Sequence, residues 1–366
     1  MIRLRNQLKR DIEFFFEVNS FFLSKSVQSG LTFLQDQGFC YTHTPVLTGS
    51  DAEGAGEAFE LAESSLKHPT DVTPSLEEKS TAQFFGRPAY MTVSHQLHLE
   101  ALATSLSRVY TLSPCFRAEP SLTGRHLAEF LMLEAEWAFG GTDDTDLTGV
   151  GQVCDIVEGC LRSVVNSSLS YHEEMDVLWK HGDENKRRAL EDAVAAHEPW
   201  TRITYTEAIN ALTSHVSSSS LPPFHFSPMW GWPLQSEHER WLAETFIAGP
   251  LFITDYPRAI KPFYMRTNAA TAGIGETVAC VDLVIPHIGE LVGGSVREER
   301  VDIVEENLGS NVDAEAYRWY LDLRRFGGAP HAGFGMGFER LVSWVAGIEN
   351  IREAIPFPRW AGRMLL

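Results

Sequence analysis

The sequence has no apolar run of the roughly 20 residues that a membrane-spanning helix needs. Its richest stretch, Ile12 to Leu23, is shorter and carries Glu13 and Glu17. The start shows no secretory pattern either. Cysteine is scarce: Cys40, Cys115, Cys154, Cys160 and Cys280 are odd in number and contain no CxxC pair. That excludes a zinc knuckle and a disulfide framework, and fits a reducing compartment. Lysine is rare beside arginine, 7 against 23. Arginine is the better residue for holding phosphate or carboxylate through two parallel hydrogen bonds, although the base composition of a gene gives the same bias. Positive charge is short overall, with a formal net charge of −19. A phosphate-binding surface spread over the whole molecule is therefore excluded, while a local positive cleft inside an acidic shell is not. Three common motifs are missing as well. There is no GK[ST] of a P-loop and no GxGxxG, and His238-Glu239 is followed by Leu242 where a zinc protease needs a second histidine.

The composition that is present, 44% hydrophobic and 22% charged, is that of a globular protein with a real core. Val27 to Phe39 reads as a helix ended by Gly38, and Tyr41 to Leu47 as a strand that Pro45 confines to an edge or interface. Gly49 to Gly56 is a small, polar loop. Leu147, Val150, Cys154, Val157, Leu161 and Val164 mark an amphipathic helix. A helix over 235–247 and strands near 251–256, 261–268, 276–285 and 289–296 follow. The strand Ala332 to Met336 then turns into a helix with Phe338, Leu341, Val342 and Val345 inward. Residues 63–82 and 166–200 read as insertions. No internal repeat or linker divides the chain, so one mixed α+β domain is expected.

The chemistry concentrates in Tyr110 to Glu119 and Leu127 to Phe139, which read as two long antiparallel strands joined by Pro120 to His126. Period-2 alternation puts Phe130, Met132, Glu134 and Glu136 on one face of the second strand, and Arg117 with Glu119 on one face of the first. Transfer of an adenylyl group needs a cation on the α-phosphate, further positive groups for the departing pyrophosphate, and a flat surface for the base. Arg117, the Arg125/His126 loop and Phe130 supply those parts. A salt-bridged hairpin would explain the charges but not the combination. Gly333, Gly335 and Gly337 let a strand approach a ligand closely, and Arg340 follows in the first turn of a helix, where the dipole also favours phosphate. A glycine-rich turn with a surface arginine is the plain alternative there. Asp282 and Glu290 flank the turn Pro286 to Gly289 and offer hard oxygens to Mg²⁺, with Arg297 seven residues on.

Together these segments resemble the signature motifs of class II aminoacyl-tRNA synthetases, and most closely the asparaginyl-tRNA synthetases of bacteria and organelles. The resemblance runs from about Val27 to Arg359. Its carriers are HTPVLTGSDAEGAGEAF (43–59), TVSHQLHLEAL (92–102), FRAEPSLTGRHLAEFLMLEAEWAF (116–139), TDYPRAIKPFYMR (254–266), VDLVIPHIGELVGGSVREER (281–300) and PHAGFGMGFERLVSWVAGIENIREAIPFPR (330–359). It implies a six- to seven-stranded antiparallel sheet flanked by helices, and a homodimer formed through the region of Pro45. It further implies that Arg117 binds the α-phosphate of ATP, that Phe130 and Arg340 sandwich adenine, and that Arg125 and His126 lie near the γ-phosphate. Asp282 and Glu290 would hold Mg²⁺, Glu53 would receive the substrate's α-amino group, and Gln96 and Arg297 would line the amino-acid pocket. Aspartyl relatives place a lysine where Leu99 stands here, so an amide is the expected substrate side chain, with Glu119 as acceptor of its NH₂ group.

The expected function is therefore activation of asparagine with ATP and transfer to the acceptor end of tRNA(Asn). Residues 1–25 do not match the family's usual start, and His95 replaces a small residue. Before the first motif there is no room for the family's anticodon-binding OB domain, so residues 26–366 are expected to be a catalytic domain that charges tRNA poorly. Two rival readings stand beside this one: an amide synthetase or amino-acid ligase that uses an aspartyl adenylate without tRNA, and a non-catalytic nucleotide-binding relative. Arg3, Arg5, Lys9 and Arg10 lean towards the mitochondrial matrix, against Asp11 and Glu13, with the cytoplasm as the alternative.

Overall fold

Alternation of side chains along strands decides the layering of this molecule. The structure, a computed structural model, describes residues 38–49, 58–61, 84–121, 123–139, 149–170, 175–176, 179–180, 182–195, 197–219, 223–269, 275–309 and 314–364. The strands are β1 (Cys40–Tyr41), β2 (Leu47–Thr48), β3 (Tyr90–Met91), β4 (Arg108–Phe116), β5 (Glu129–Ala138), β6 (Thr201–Thr204), β7 (Leu251–Thr254), β8 (Cys280–Ile285), β9 (Gly289–Val296) and β10 (His331–Gly337). The main helices are α1 (Gln96–Leu106), α2 (Val150–Leu169), α3 (Glu184–Ala195), α4 (Tyr205–Ser218), α5 (Ser236–Trp241), α6 (Val301–Leu308), α7 (Ala314–Arg325) and α8 (Phe338–Ala346).

Eight strands form one sheet in the order β1-β4-β5-β10-β9-β8-β7-β6. The six central strands are antiparallel, as the sequence led one to expect, but β1 runs parallel to β4 and β6 parallel to β7. The sheet is thus mixed at its edges and wider than the expected six or seven strands. Its added edges are too short to carry a legible alternation. The strand expected over Tyr41 to Leu47 is split for the same kind of reason, with β1 ending at Tyr41 and β2 starting at Leu47 on either side of Pro45. The strand expected over 261–268 is reduced to single bridges, Met265 with Arg297 and Thr267 with Val278. The helix expected over 235–247 is α5, which widens into a π-helical turn over Leu242–Phe246. The expected helix over Val27 to Phe39 falls mostly outside the described residues, as do residues 1–25 and 63–82.

On β5, Leu133, Ala135 and Trp137 are buried on the back of the sheet, and on β10 so are Ala332, Phe334 and Met336. Helices α2 and α8 cover that face. The buried stripe of α2 (Val150, Val153, Cys154, Val157, Cys160, Leu161 and Val164) recurs at three- and four-residue spacing, as a helix on a sheet requires. Each valine or leucine of that stripe contributes about 1.5–3 kcal/mol relative to exposure. Described residues of the span 166–200 reach this core. Trp179, Leu190, Val194 and Trp200 pack there, and the Trp179 indole N–H donates to Val345 O at 3.0 Å. The intervening positions of β5 and β10 face the other way and form the floor of a cavity.

Candidate active site

Register pairs glycines of β10 and β9 against acidic residues of their neighbours. Glu134 on β5 faces Gly335, which faces Gly293 on β9, which in turn faces Asp282 on β8. Two glycines between two carboxylates leave a trough across the sheet. One row further, Glu136 faces Gly333. A Cβ on Gly333 would run into the Glu136 carboxylate and come within 2.5 Å of Ala135 O and 2.6 Å of Arg297 Nη2. Glycine there is a requirement of packing, since backbone oxygen cannot be moved aside.

A cavity of about 380 Å³ opens over this floor. Ten of the eleven site residues expected from the sequence line it: Gln96, Arg117, Glu119, Arg125, His126, Phe130, Asp282, Glu290, Arg297 and Arg340. Glu53 lies outside the described residues.

At one end the β4–β5 connection brings cations together. The Arg117 guanidinium lies 5.6 Å from the centre of the Phe130 ring, and Arg117 Nη1 is 3.9 Å from Glu119 Oε1. His126 Nε2 meets Glu119 Oε2 at 3.2 Å, while its Nδ1 is held by Thr123 Oγ1 at 2.7 Å and Ser121 Oγ at 2.9 Å. The loop is pinned from below, because Ile351 N donates to Gly124 O at 2.9 Å and Arg352 Nη2 to Thr123 O at 3.0 Å. Glu119 thus stands at the arginine-and-histidine end of the cavity, beside Arg117 and His126. Arg340, in the first turn of α8, donates from Nη1 to Glu290 O at 2.5 Å. The neighbouring Glu339 is buried and accepts from Leu131 N at 3.1 Å, which ties the helix start to β5.

The β8–β9 hairpin places the two carboxylates expected to bind metal. Positions 3.3 Å from Glu290 Oε1 and 3.7 Å from Asp282 Oδ1 meet where Gly293 would carry a Cβ, so both oxygens converge on the space above that glycine. Sequence reasoning missed Lys261, whose Nζ lies 2.6 Å from Asp282 Oδ2 and 4.0 Å from the centre of the Tyr256 ring. Burial works against its charge, but Asp282 holds the Lys261 ammonium above its usual range. Burial also raises the Asp282 carboxyl, against the pull of Lys261. Glu239, dismissed with the protease motif, feels the charge of this cluster. Burial, then the charges of Glu290 and Asp282, push its carboxyl up to about 7. Its neighbour His238 is spent on structure, with Nε2 against Phe226 O at 2.8 Å and Nδ1 accepting from Gln235 N at 3.1 Å.

At the other end lies a buried ion pair. Arg297 donates from Nε to Glu136 Oε1 at 3.0 Å and from Nη2 to Oε2 at 2.8 Å, a two-pronged contact. Burial opposes the Arg297 charge, yet Glu136 and Glu100 keep it above the ordinary arginine range. Glu136 and Glu134 were legible as members of the right face of β5, but no role had been assigned to them. Glu134 accepts from Ser94 Oγ at 2.5 Å and His95 N at 2.8 Å. His95 itself does not line the cavity. Its Nε2 faces Pro114 O at 3.1 Å and its Nδ1 Thr44 Oγ1 at 2.8 Å, so the larger residue is accommodated behind the site. Leu99 lines the cavity and brings no charge.

The family model for class II tRNA synthetases (D, K and N) matches residues 17–361, so the chain belongs to that family. Within it, the chain groups with asparagine–tRNA ligases. The ligase of Desulfotalea psychrophila is 47% identical over 332 residues, 90% of this chain and 67% of its own length. That of Protochlamydia amoebophila is 44% identical over 333 residues, with the same two shares. The chain thus spans about two thirds of the length of these relatives. Among solved structures, the asparaginyl-tRNA synthetase of Pyrococcus horikoshii complexed with asparaginyl-adenylate is similar, with a TM-score of 0.74 and 29% identity over 99% of this chain and 70% of that one. The Entamoeba histolytica enzyme, also in complex with asparaginyl-adenylate, has a TM-score of 0.71 and 26% identity, over 99% of this chain and 67% of its own. Among the described residues, no helix is long and apolar enough to cross a membrane.

Proposed function

We propose that the chain activates asparagine with ATP to asparaginyl-adenylate and passes the asparaginyl group to the acceptor end of tRNA(Asn). The observation that carries this reading is the two-ended character of one cavity. Arginines and a histidine with an aromatic ring stand at one end, and a paired donor and acceptor stand at the other. Phe130 and Arg340 take the adenine between them, Arg117 meets the α-phosphate, and Arg125 with His126 meet the outer phosphates. The substrate carboxylate attacks the α-phosphorus in line as pyrophosphate departs. Charge gathers on the phosphoryl oxygens in that transition state, and Arg117 is positioned to offset it. No protein nucleophile is needed, since alignment of two bound reactants supplies much of the acceleration.

Arg297 and Glu136 together suit an amide: the guanidinium donates to its oxygen and the carboxylate accepts from its NH₂ group. We assign that acceptor role to Glu136 in place of Glu119. With Leu99 where a cation would stand, an aspartate carboxylate finds no unpaired positive charge, a loss on the order of 2–5 kcal/mol. Gln96 Nε2 donates to Glu100 Oε1 at 3.0 Å, which leaves Gln96 Oε1 to accept from the substrate's α-ammonium group. Glu53 is proposed to meet the same ammonium group, on the sequence alone. The oxygens of Asp282 and Glu290 form a hard donor set that fits Mg²⁺, which when bound neutralises polyphosphate charge.

A second copy of the chain is the proposed cover for the ribbon of β2 and β3. Leu47 pairs with Met91, Met91 N donates to Phe59 O at 2.9 Å, and Leu47 and Phe59 remain 43% and 39% exposed. The basic start supports a place in the mitochondrial matrix, which imaging of a tagged chain tests. The test of the main reading is ATP–pyrophosphate exchange with purified protein and Mg²⁺. Exchange is expected with asparagine, not aspartate, and is lost in Arg117→Ala. Exchange driven by aspartate, or by neither amino acid, refutes the assignment.

A further inference from the structure

Behind the amino-acid end of the cavity lies a layer of charge that the proposed reaction does not use. Glu100, on α1, is completely buried and does not line the cavity. Four groups converge on its carboxylate. Gln96 Nε2 donates at 3.0 Å, Tyr320 OH at 2.8 Å, Arg324 Nη2 at 2.6 Å, and His331 Nε2 lies at 3.0 Å. Arg297 Nε stands 3.9 Å away. Tyr320 and Arg324 sit four residues apart on α7, so one face of that helix brings both to the same acceptor.

His331 closes the other side of this layer, with Nδ1 3.0 Å from Ala329 O and Nε2 3.0 Å from Glu100 Oε2. The two arginines at the amino-acid end each meet a carboxylate before substrate arrives, Arg297 through Glu136 and Arg324 through Glu100. A neutral side chain leaves that pairing intact, and a carboxylate adds a charge that finds no partner.

We propose that Glu100 is a further specificity-determining residue of this site. From behind Arg297 it cancels the charge of the α7 arginine and so sets the preference for amide over carboxylate. It also orients Gln96 by engaging its NH₂ group. Glu100 touches no substrate, so it acts as a positioning residue. The inference rests on the reading of the chain as an asparagine-activating enzyme.

The experiment uses the whole chain and measures the KM for asparagine in ATP–pyrophosphate exchange and the Ki of aspartate as a competitor. In Glu100→Gln the site gains one positive charge, and the Ki of aspartate relative to the KM of asparagine is expected to fall about tenfold or more, given a unit charge within about 8 Å in a buried site. Arg324→Gln removes a cation instead and is expected to move the same ratio upwards. The double variant Glu100→Gln/Arg324→Gln returns it to within about threefold of the unaltered protein. A ratio that stays fixed while both constants worsen together would show that Glu100 only supports the fold, and overturns the proposal. So does a ratio that moves the same way in both single variants. Should Glu100→Gln fail to fold, Arg324→Gln alone decides by the direction of its shift. Failure of the unaltered chain to exchange with asparagine would strike the underlying reading instead, so the two failures are distinguishable.

Discussion

Replacing Gly333 by alanine adds a single methyl group, and the structure gives it nowhere to go. The new Cβ would collide with the Glu136 carboxylate, with Ala135 O at 2.5 Å and with Arg297 Nη2 at 2.6 Å. The carbonyl belongs to a paired strand and cannot yield, so the Glu136–Arg297 contact must open. Overpacking alone costs about 1–3 kcal/mol, and loosening a buried ion pair approaches the 3–5 kcal/mol of removing one partner. A total of about 5 kcal/mol is a reasonable centre. At roughly 2.1 cal/mol/K per residue of unfolding entropy, that lowers Tm by about 6.5 °C for a chain of this length. Because Arg297 and Glu136 are also the proposed amide site, the KM for asparagine should rise by at least about tenfold while that for ATP changes little. Gly335→Ala is the control. Its Cβ would meet Met132 Sδ at 3.2 Å and Glu134 Cγ at 3.7 Å, the flexible parts of side chains, and should cost under about 1 kcal/mol. Thermal unfolding and ATP–pyrophosphate exchange on both variants settle the matter. Equal stability and equal asparagine affinity in the two would refute the claim that Gly333 is kept open for the ion pair.

Other outcomes follow from the same geometry. Lys261→Met leaves the buried Asp282 carboxylate without its 2.6 Å partner and should lower the free energy of unfolding by about 3 kcal/mol in urea titration, most of it regained in Lys261→Met/Asp282→Asn. Burial pushes the Glu100 carboxyl up, but Arg324, His331 and Arg297 outweigh it and hold it below its ordinary value of 4.5. A depressed carboxyl contributes stability that is complete above the unfolded value and is lost as pH falls. The stability gap between the unaltered chain and Glu100→Gln should therefore shrink as pH falls below about 4.5, as followed by unfolding at a series of acid pH values; a gap that widens in acid would contradict the assignment. Leu47→Asp should convert a dimer to a monomer in sedimentation, by placing a charge on the exposed β2–β3 ribbon; a chain that is monomeric before the change would remove that surface from consideration.

The central hairpin shows how much the residues alone can say. Period-2 alternation put Phe130, Met132, Glu134 and Glu136 on one face of β5, and all four line the cavity. The buried stripe of α2 and the inward residues of α8 were legible for the same reason, a regular period repeated over several turns. Ten of the site residues came from motif blocks whose order along the chain is itself informative. The edge strands were not legible. β1 has two residues and β6 four, too few to establish a period, and their parallel pairing is set by what lies beside them. Nor was the true partner of Arg297. Glu136 is 161 positions away in the chain and becomes its neighbour only because β5 and β9 flank β10, whose Gly333 leaves the gap between them.

By itself, the sequence determined which residue types stand together: a hairpin of cations and an aromatic ring, and two carboxylates around a turn. Those features are local, fixed by residue type and short spacing, whereas the meaning of Leu99 came from the resemblance to relatives that carry a lysine there. Only the tertiary structure decided which polar groups of the site face one another. It paired Asp282 with Lys261, set Glu119 beside His126, turned His95 away from the cavity and placed Glu100 behind Arg297. Whether a buried charge is free to meet a substrate depends on which opposite charge folding brings within a few ångströms, and that distance is written in no stretch of sequence.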